Sequence, residues 1–231
     1  MSLLTATDLG AVGLSLRVAA AATLVDLPLA LLCALALARG RFVGRSLLDA
    51  LVHLPLVLPP VATGFGLLVL LGPNAPVGRL LAMAGITLAF RWTGAALAAA
   101  VMALPLVVRP IRLSIEAIDR EVLESALTLG APGLVRLARI TVPLAAPGLA
   151  AGAIMGFAKA LGEFGATITF VGAIPGETLT LPSTIYLATQ SPGEEARTLA
   201  LCAIAAALAV GAVLLSDRLS RAAAVWAGRR A

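Results

Sequence analysis

Five long apolar runs govern what this chain can fold into, at about residues 12–38, 47–71, 85–108, 144–161 and 198–216. A bilayer core about 30 Å thick is crossed by roughly 17 to 25 apolar residues in a helix, and every run reaches that length. Backbone polar groups in hydrocarbon must be satisfied within the segment, so runs of this kind are read as helices. The expected fold is an all-α membrane protein of about five transmembrane helices, one domain over residues 1–231. The bulk composition agrees: 60% of residues are hydrophobic and only 13% charged, which no soluble domain of this size shows. The net charge of +5 is no sign of nucleic acid, because the arginines sit between the runs.

Charge also orients the chain. One side of the expected layer holds Arg39, Arg41, Arg45, Arg109, Arg112, Arg120, Arg136, Arg139, Arg218, Arg221, Arg229 and Arg230. The other holds Arg17, Arg79, Arg91 and Arg197. The arginine-rich side is expected to be cytoplasmic, which puts the N-terminus outside and the C-terminus inside. Within the runs, Asp26 and Pro28 read as an interruption, with Asp26 capping a segment that restarts at Pro28. Pro55, Pro59 and Pro60 read as a kinked second span, and residues 72–76 as a turn. Gly148, Gly152 and Gly156 form a small-residue stripe suited to close helix contact. Residues 162–197 are turn-rich, with one short helix expected near 182–190. Cys33 and Cys202 fall in different runs at opposite depths and are read as packing residues.

The longest polar stretch is 116–143, EAIDREVLESALTLGAPGLVRLARITVP. Asp119 is a good N-cap and Glu121 suits the first turn behind it. Leu123, Ala126 and Leu127 share a face at helical spacing, and Ala126 is small enough to mark a close contact. Gly130 fits the left-handed residue after a helix, Pro132 a second helix start and Pro143 its end. The spacing predicts two short helices around a glycine elbow, outside the bilayer. Such a unit docks into a partner's groove or lies on the lipid surface, and the pattern alone does not choose.

Residues able to carry chemistry are few. The sole lysine, Lys159, precedes Glu163 by four, so the two can pair on one helix face near the outer end of the fourth span. That pair either borders a translocation path or is structural. Thr167, Thr169, Ser183 and Thr184 offer hydroxyl donors toward a passing oxyanion, or bond their own helix carbonyls. His53 has no convergent Cys or His partners in the sequence, so no metal is expected and the histidine reads as interfacial or packed. A phosphate-binding P-loop needs Gly-Lys, and Lys159 follows Ala158. The chain is therefore not expected to hydrolyse ATP, and no catalytic residue is expected.

Glu124-Ser125-Ala126, three residues, Gly130, nine residues and Ile140-Thr141-Val142-Pro143 resembles the EAA loop of ABC importer permeases, with Ser125 and Val142 as mild departures. Together with HLPLVLPPV at 53–61, LAAAVMALPLVVRPIRL at 97–113 and LGEFGATITFVGAIPGETLTLPSTIY at 161–186, the chain resembles bacterial molybdate ABC transporter permease subunits over nearly its whole length. The resemblance implies a type I importer fold and a cytoplasmic coupling helix between spans three and four. Residues 121, 123–127, 130, 140 and 143 would then contact the ATPase. It further implies an inner-membrane homodimer with two cytoplasmic ATP-binding subunits and an external binding protein that delivers molybdate or tungstate. No cofactor is expected on the chain itself, ATP being used by the partner. Sulfate/thiosulfate permeases look similar through the EAA loop and are the nearest alternative. An ion-coupled carrier using Asp26 and Glu163 would call for internal repeats and more spans, which are not visible.

Overall fold

The computed structural model describes residues 4–40 and 42–228; Arg41, Arg229 and Arg230 lie outside the described residues. Among the described residues three helices are long and apolar enough to cross a membrane, or five if each of two bent pairs counts as one span.

Helix α1 (Ala6–Arg39) opens with a capping box. Asp8 N–H donates to the Thr5 hydroxyl while the Asp8 carboxylate accepts the Thr5 N–H at 2.7 Å. Its buried side is a seam at Ala11, Ser15, Ala19, Ala22, Asp26, Ala30 and Ala34. Asp26 therefore belongs to the packed seam, with no partner for Oδ2 among the described residues. The expected break at Asp26–Pro28 does not occur, and α1 runs through both. One proline removes one hydrogen bond, and close alanine packing along the rest of the seam keeps the helix whole.

The second run is sharper than a kinked rod. Helices α2 (Arg45–Val57) and α3 (Pro60–Leu71) meet at 115°. Leu58 and Pro59 each precede a proline and are pushed to extended backbone, with ψ of 141° and 133°. Two extended residues in succession turn the chain where one would bend it. A short helix, α4 (Pro76–Met83), stands where the sequence predicts only turn and loop, and its proline sits in the first turn. The third run then forms α5 (Trp92–Glu116), which starts later and ends later than the apolar stretch itself.

Next come α6 (Arg120–Thr128) and α7 (Gly133–Arg136), which continues through a π-helical turn (Leu137–Thr141) into α8 (Val142–Leu144). Pro143 does not end this helix. It occupies the first turn of α8, and the chain swings by 68° only at Ala145 to begin α9 (Ala146–Leu161). Two further short helices, α10 (Gly165–Val171) and α11 (Leu181–Thr189), precede α12 (Glu195–Gly228).

Helix α9 lies at the centre, packed on α1, α5 and α12. Its glycine stripe faces α5 within the same chain. A β-carbon on Gly148 would sit 2.5 Å from the Pro110 carbonyl oxygen, and one on Gly152 2.8 Å from that of Val107. Helix α10 packs on α3 and α5, where Gly64 lets the α3 backbone touch that of Ala166. On the expected outer side, Arg197 of α12 grips Asp8 of α1 with two contacts of 2.7 and 3.1 Å and reaches Glu194 at 2.8 Å. Leu181 N–H donates to Ser15 Oγ at 2.7 Å, fixing α11 to α1.

Candidate functional site

The elbow of 116–143 is built from its own backbone chemistry. The Asp119 carboxylate accepts Glu121 N–H at 3.0 Å and starts α6. At the other end Gly130 takes φ +74°, its N–H donates to Leu127 O, and Ala131 N–H donates to Ala126 O. That pair of bonds is a Schellman closure, for which glycine supplies the left-handed residue at little cost. Pro132 caps α7 from outside its first turn.

The faces of this unit differ from the sequence expectation in one respect. Ala126 is buried in its own chain, 7% exposed, and Leu123 is half-buried, so neither is the outermost point. Leu127, Leu129 and Leu134 are exposed instead, the last two by 86% and 80%. Glu121, Glu124 and Ser125 are exposed beside them, while Ile140 and Pro143 are half-buried at the approach to α9.

Behind α6 is a cavity of about 720 Å³ lined by Arg39, Arg45, Arg120, Leu123, Glu124 and Leu127. Two of these arginines cap helix ends. Arg39 donates to the carbonyls of Ile115 and Ile118 at 2.8 and 3.3 Å, and Arg45 to that of Leu37 at 3.0 Å. They satisfy carbonyls at the C-terminal ends of α5 and α1, where a cation is favoured. The elbow thus hangs from a corner fixed by guanidinium groups. Next to it, Arg112 bridges Asp49 at 3.1 Å and Glu116 at 2.8 Å, joining α2 to α5. His53 belongs to this network, its Nδ1 lying 2.8 Å from the Asp49 carbonyl oxygen. Among the described residues no group of three or more His, Cys, Asp or Glu is placed to hold a metal.

The second candidate group lies deeper. Lys159 and Glu163 are salt-bridged, and the Glu163 carboxylate also accepts Ala166 N–H at 3.0 Å, capping α10. Lys159 stands in the last turn of α9 and Glu163 just past its C-cap Gly162, so the pair marks the end of that helix, as the sequence suggests. Gly156 packs on Val107 of α5, and Val171, at the far end of α10, packs beside Gly94. In the chain the pair falls between those two contacts, and α10 carries the chain onward after α9 breaks.

The hydroxyls are spent locally. Thr167 donates to Phe164 O and Thr169 to Gly165 O, both at 2.8 Å. Thr184 donates to Thr180 O at 2.9 Å, and Ser183 lies 3.1 Å from the Thr180 hydroxyl. Nor do the four form one cluster: Thr167 and Thr169 ride on α10, whereas Ser183 and Thr184 ride on α11, which packs on α1 and α12. The Asp8–Arg197 clamp is not foreseen from the sequence, although Thr5-x-x-Asp8 carries a capping-box signature that marks the helix start.

A family model described as binding-protein-dependent transport system inner membrane component matches residues 26–224. The chain is 49% identical to the molybdenum transport system permease protein ModB of Escherichia coli (strain K12), over 98% of this chain and all of that one. It is 49% identical to ModB of Haemophilus influenzae as well, covering 93% of this chain and 94% of the other. Its fold is similar to that of a bacterial ABC transporter involved in the import of the acidic polysaccharide alginate. There the TM-score is 0.75 at 21% identity, over 94% of this chain and 80% of that one. A multi-pass helical chain with a family match across most of its length, and relatives this similar along all of it, is placed by both: it belongs to the binding-protein-dependent transport system inner membrane components, the permease subunits of ABC transporters.

Proposed function

We propose that this chain is the membrane-spanning permease of an ATP-driven importer of molybdate. The reading is carried by its 49% identity, over nearly its full length, to permeases of molybdenum transport. In this reading two copies form the pore, two separate ATP-binding subunits dock on the α6–Gly130 elbow from the cytoplasm, and an external protein delivers the oxyanion. ATP closes the ATPase pair, the elbows move with it, and the helices attached through the arginine corner reorient the pore. The test is uptake. Cells lacking this chain should fail to accumulate molybdate at low external concentration and regain uptake when it is restored. A tenfold excess of sulfate should leave the restored uptake intact. Sulfate competition in proportion to its concentration would shift the assignment to a sulfate permease.

The orientation follows the arginines, with α1 starting outside and α12 ending in the cytoplasm. Single cysteines at exposed Thr7 and Arg218, in a background where Cys33 and Cys202 are replaced by alanine, should react with an impermeant thiol reagent from opposite faces. Reaction from the same face would contradict the five-span arrangement.

A further inference from the structure

Helix α9 is covered on three sides by α1, α5 and α12, and its glycine stripe with Ala160 is buried in those contacts. The remaining side carries Met155, 46% exposed, and one turn further on Lys159, whose side chain is 29% exposed. A cation on an uncovered face of a membrane helix is costly against hydrocarbon, and intramembrane charges face the protein interior or a watery cavity. That cost argues for water rather than hydrocarbon beside the Lys159 ammonium.

Its pairing with Glu163 is also lopsided. The carboxylate is buried, with one oxygen on Lys159 Nζ and the other on Ala166 N–H. The ammonium has three donors, and among the described residues only Glu163 accepts from it. A purely structural pair would bury both partners and satisfy both. Here the anion is enclosed and held, and the cation is left with donors on the open side.

We propose that Lys159 is a binding position for the transported tetrahedral oxyanion along the uncovered face of α9, and that Glu163 is the residue positioning it there. The inference rests on the reading of the chain as an oxyanion permease. The physics of passage supports the arrangement. A bare ammonium in a low-dielectric path would trap a dianion, whereas a path must bind well enough to admit and weakly enough to release. The fixed carboxylate behind Lys159 offsets its field, leaving two N–H donors to meet an oxyanion briefly.

The experiment uses the full permease–ATPase complex in membranes, with molybdate as the probe. The double variant Lys159→Gln, Glu163→Gln removes both charges but keeps a hydrogen-bonding pair and an acceptor for Ala166 N–H. It should assemble with the ATPase as wild type does and transport at least tenfold more slowly at saturating molybdate. Lys159→Arg should keep most of the rate. Wild-type transport by the double variant would make the pair structural and overturn the proposal. Accessibility is a second readout, independent of how that variant folds. Met155→Cys, in the background free of other cysteines, should react with a hydrophilic thiol reagent in at least one nucleotide state and be protected by molybdate. A Met155→Cys variant inert in every state would place this face in lipid or against the second copy and overturn the proposal. If the wild-type complex itself took up no molybdate, the substrate reading would fail, while labelling of Met155→Cys would still report the watery face.

Discussion

Gly148→Leu is expected to abolish the recovery of stably folded permease from membranes. A β-carbon at Gly148 would meet both the side chain of Ser114 and the Pro110 carbonyl oxygen, the latter at 2.5 Å. A carbonyl in a helix cannot swing aside as the tip of a long side chain can. Even Gly148→Ala should cost about 1–3 kcal/mol, the usual range for overpacking, and leucine adds three carbons to a seam without space. The contrast is Gly66 on α3, where a β-carbon would find nothing within 4 Å. Gly66→Leu should therefore keep near-normal yield and a thermal midpoint close to that of wild type. Equal behaviour of the two variants in size-exclusion yield and thermal unfolding would mean that α9 and α5 do not approach as closely as described.

The second large effect concerns the elbow. Leu129 and Leu134 flank Gly130, and neither is covered by its own chain. Changing both to aspartate should alter folding little, because exposed positions away from caps and cores usually move stability by only about 0.5 kcal/mol. Against a docked ATPase the same changes should be severe. Burying a leucine is worth about 1.5–3 kcal/mol, so losing two amounts to at least roughly a hundredfold in affinity. The expected result is a correctly inserted permease that no longer co-purifies its ATPase and no longer transports. Gly130→Val tests the same contact through the backbone. The space around Gly130 is open, so its penalty comes from the left-handed φ alone, about 1–2 kcal/mol. Ala126→Asp is a poorer reporter, since Ala126 faces inward and the charge would disturb the seating of α6 itself. Full retention of the ATPase by the Leu129→Asp, Leu134→Asp variant would remove the elbow from the docking surface.

Much of this is legible in the residues because lipid leaves few choices. The apolar runs locate α1, α5, α9 and α12, and Asp119, Gly130 and Pro132 mark the ends of α6 and the start of α7 through local rules of capping and φ. What stays hidden depends on neighbours. Asp26 looks like a break because a buried carboxylate is expensive, yet the alanines on either side of it, four residues away, settle α1 as one helix. Pro59 and Pro60 announce a bend but not its size, which comes from two successive extended residues. Helix α10 is concealed by its threonines. Their hydroxyls donate to carbonyls of the preceding turn, the second of the two readings open to them, so a stretch that reads as turn-rich is helical and α10 extends the chain beyond Lys159. The sequence places the ion pair at the end of its helix, where it is found, but not the further helix whose first turn Glu163 caps. The clamp on Asp8 cannot be read from local pattern at all, since its partner lies 189 residues away.

That distance has a consequence for how the molecule is made. A ribosome delivers Asp8 early and Arg197 late, and domains assemble in the order of synthesis. Until the final helix emerges, the first one carries a carboxylate with no guanidinium to meet it, and α9 lacks one of the walls it packs against. The bundle is therefore fastened last at the place where it began. A product released before residue 195 lacks the fastening altogether, so completeness of translation is written into the stability of the opening helix.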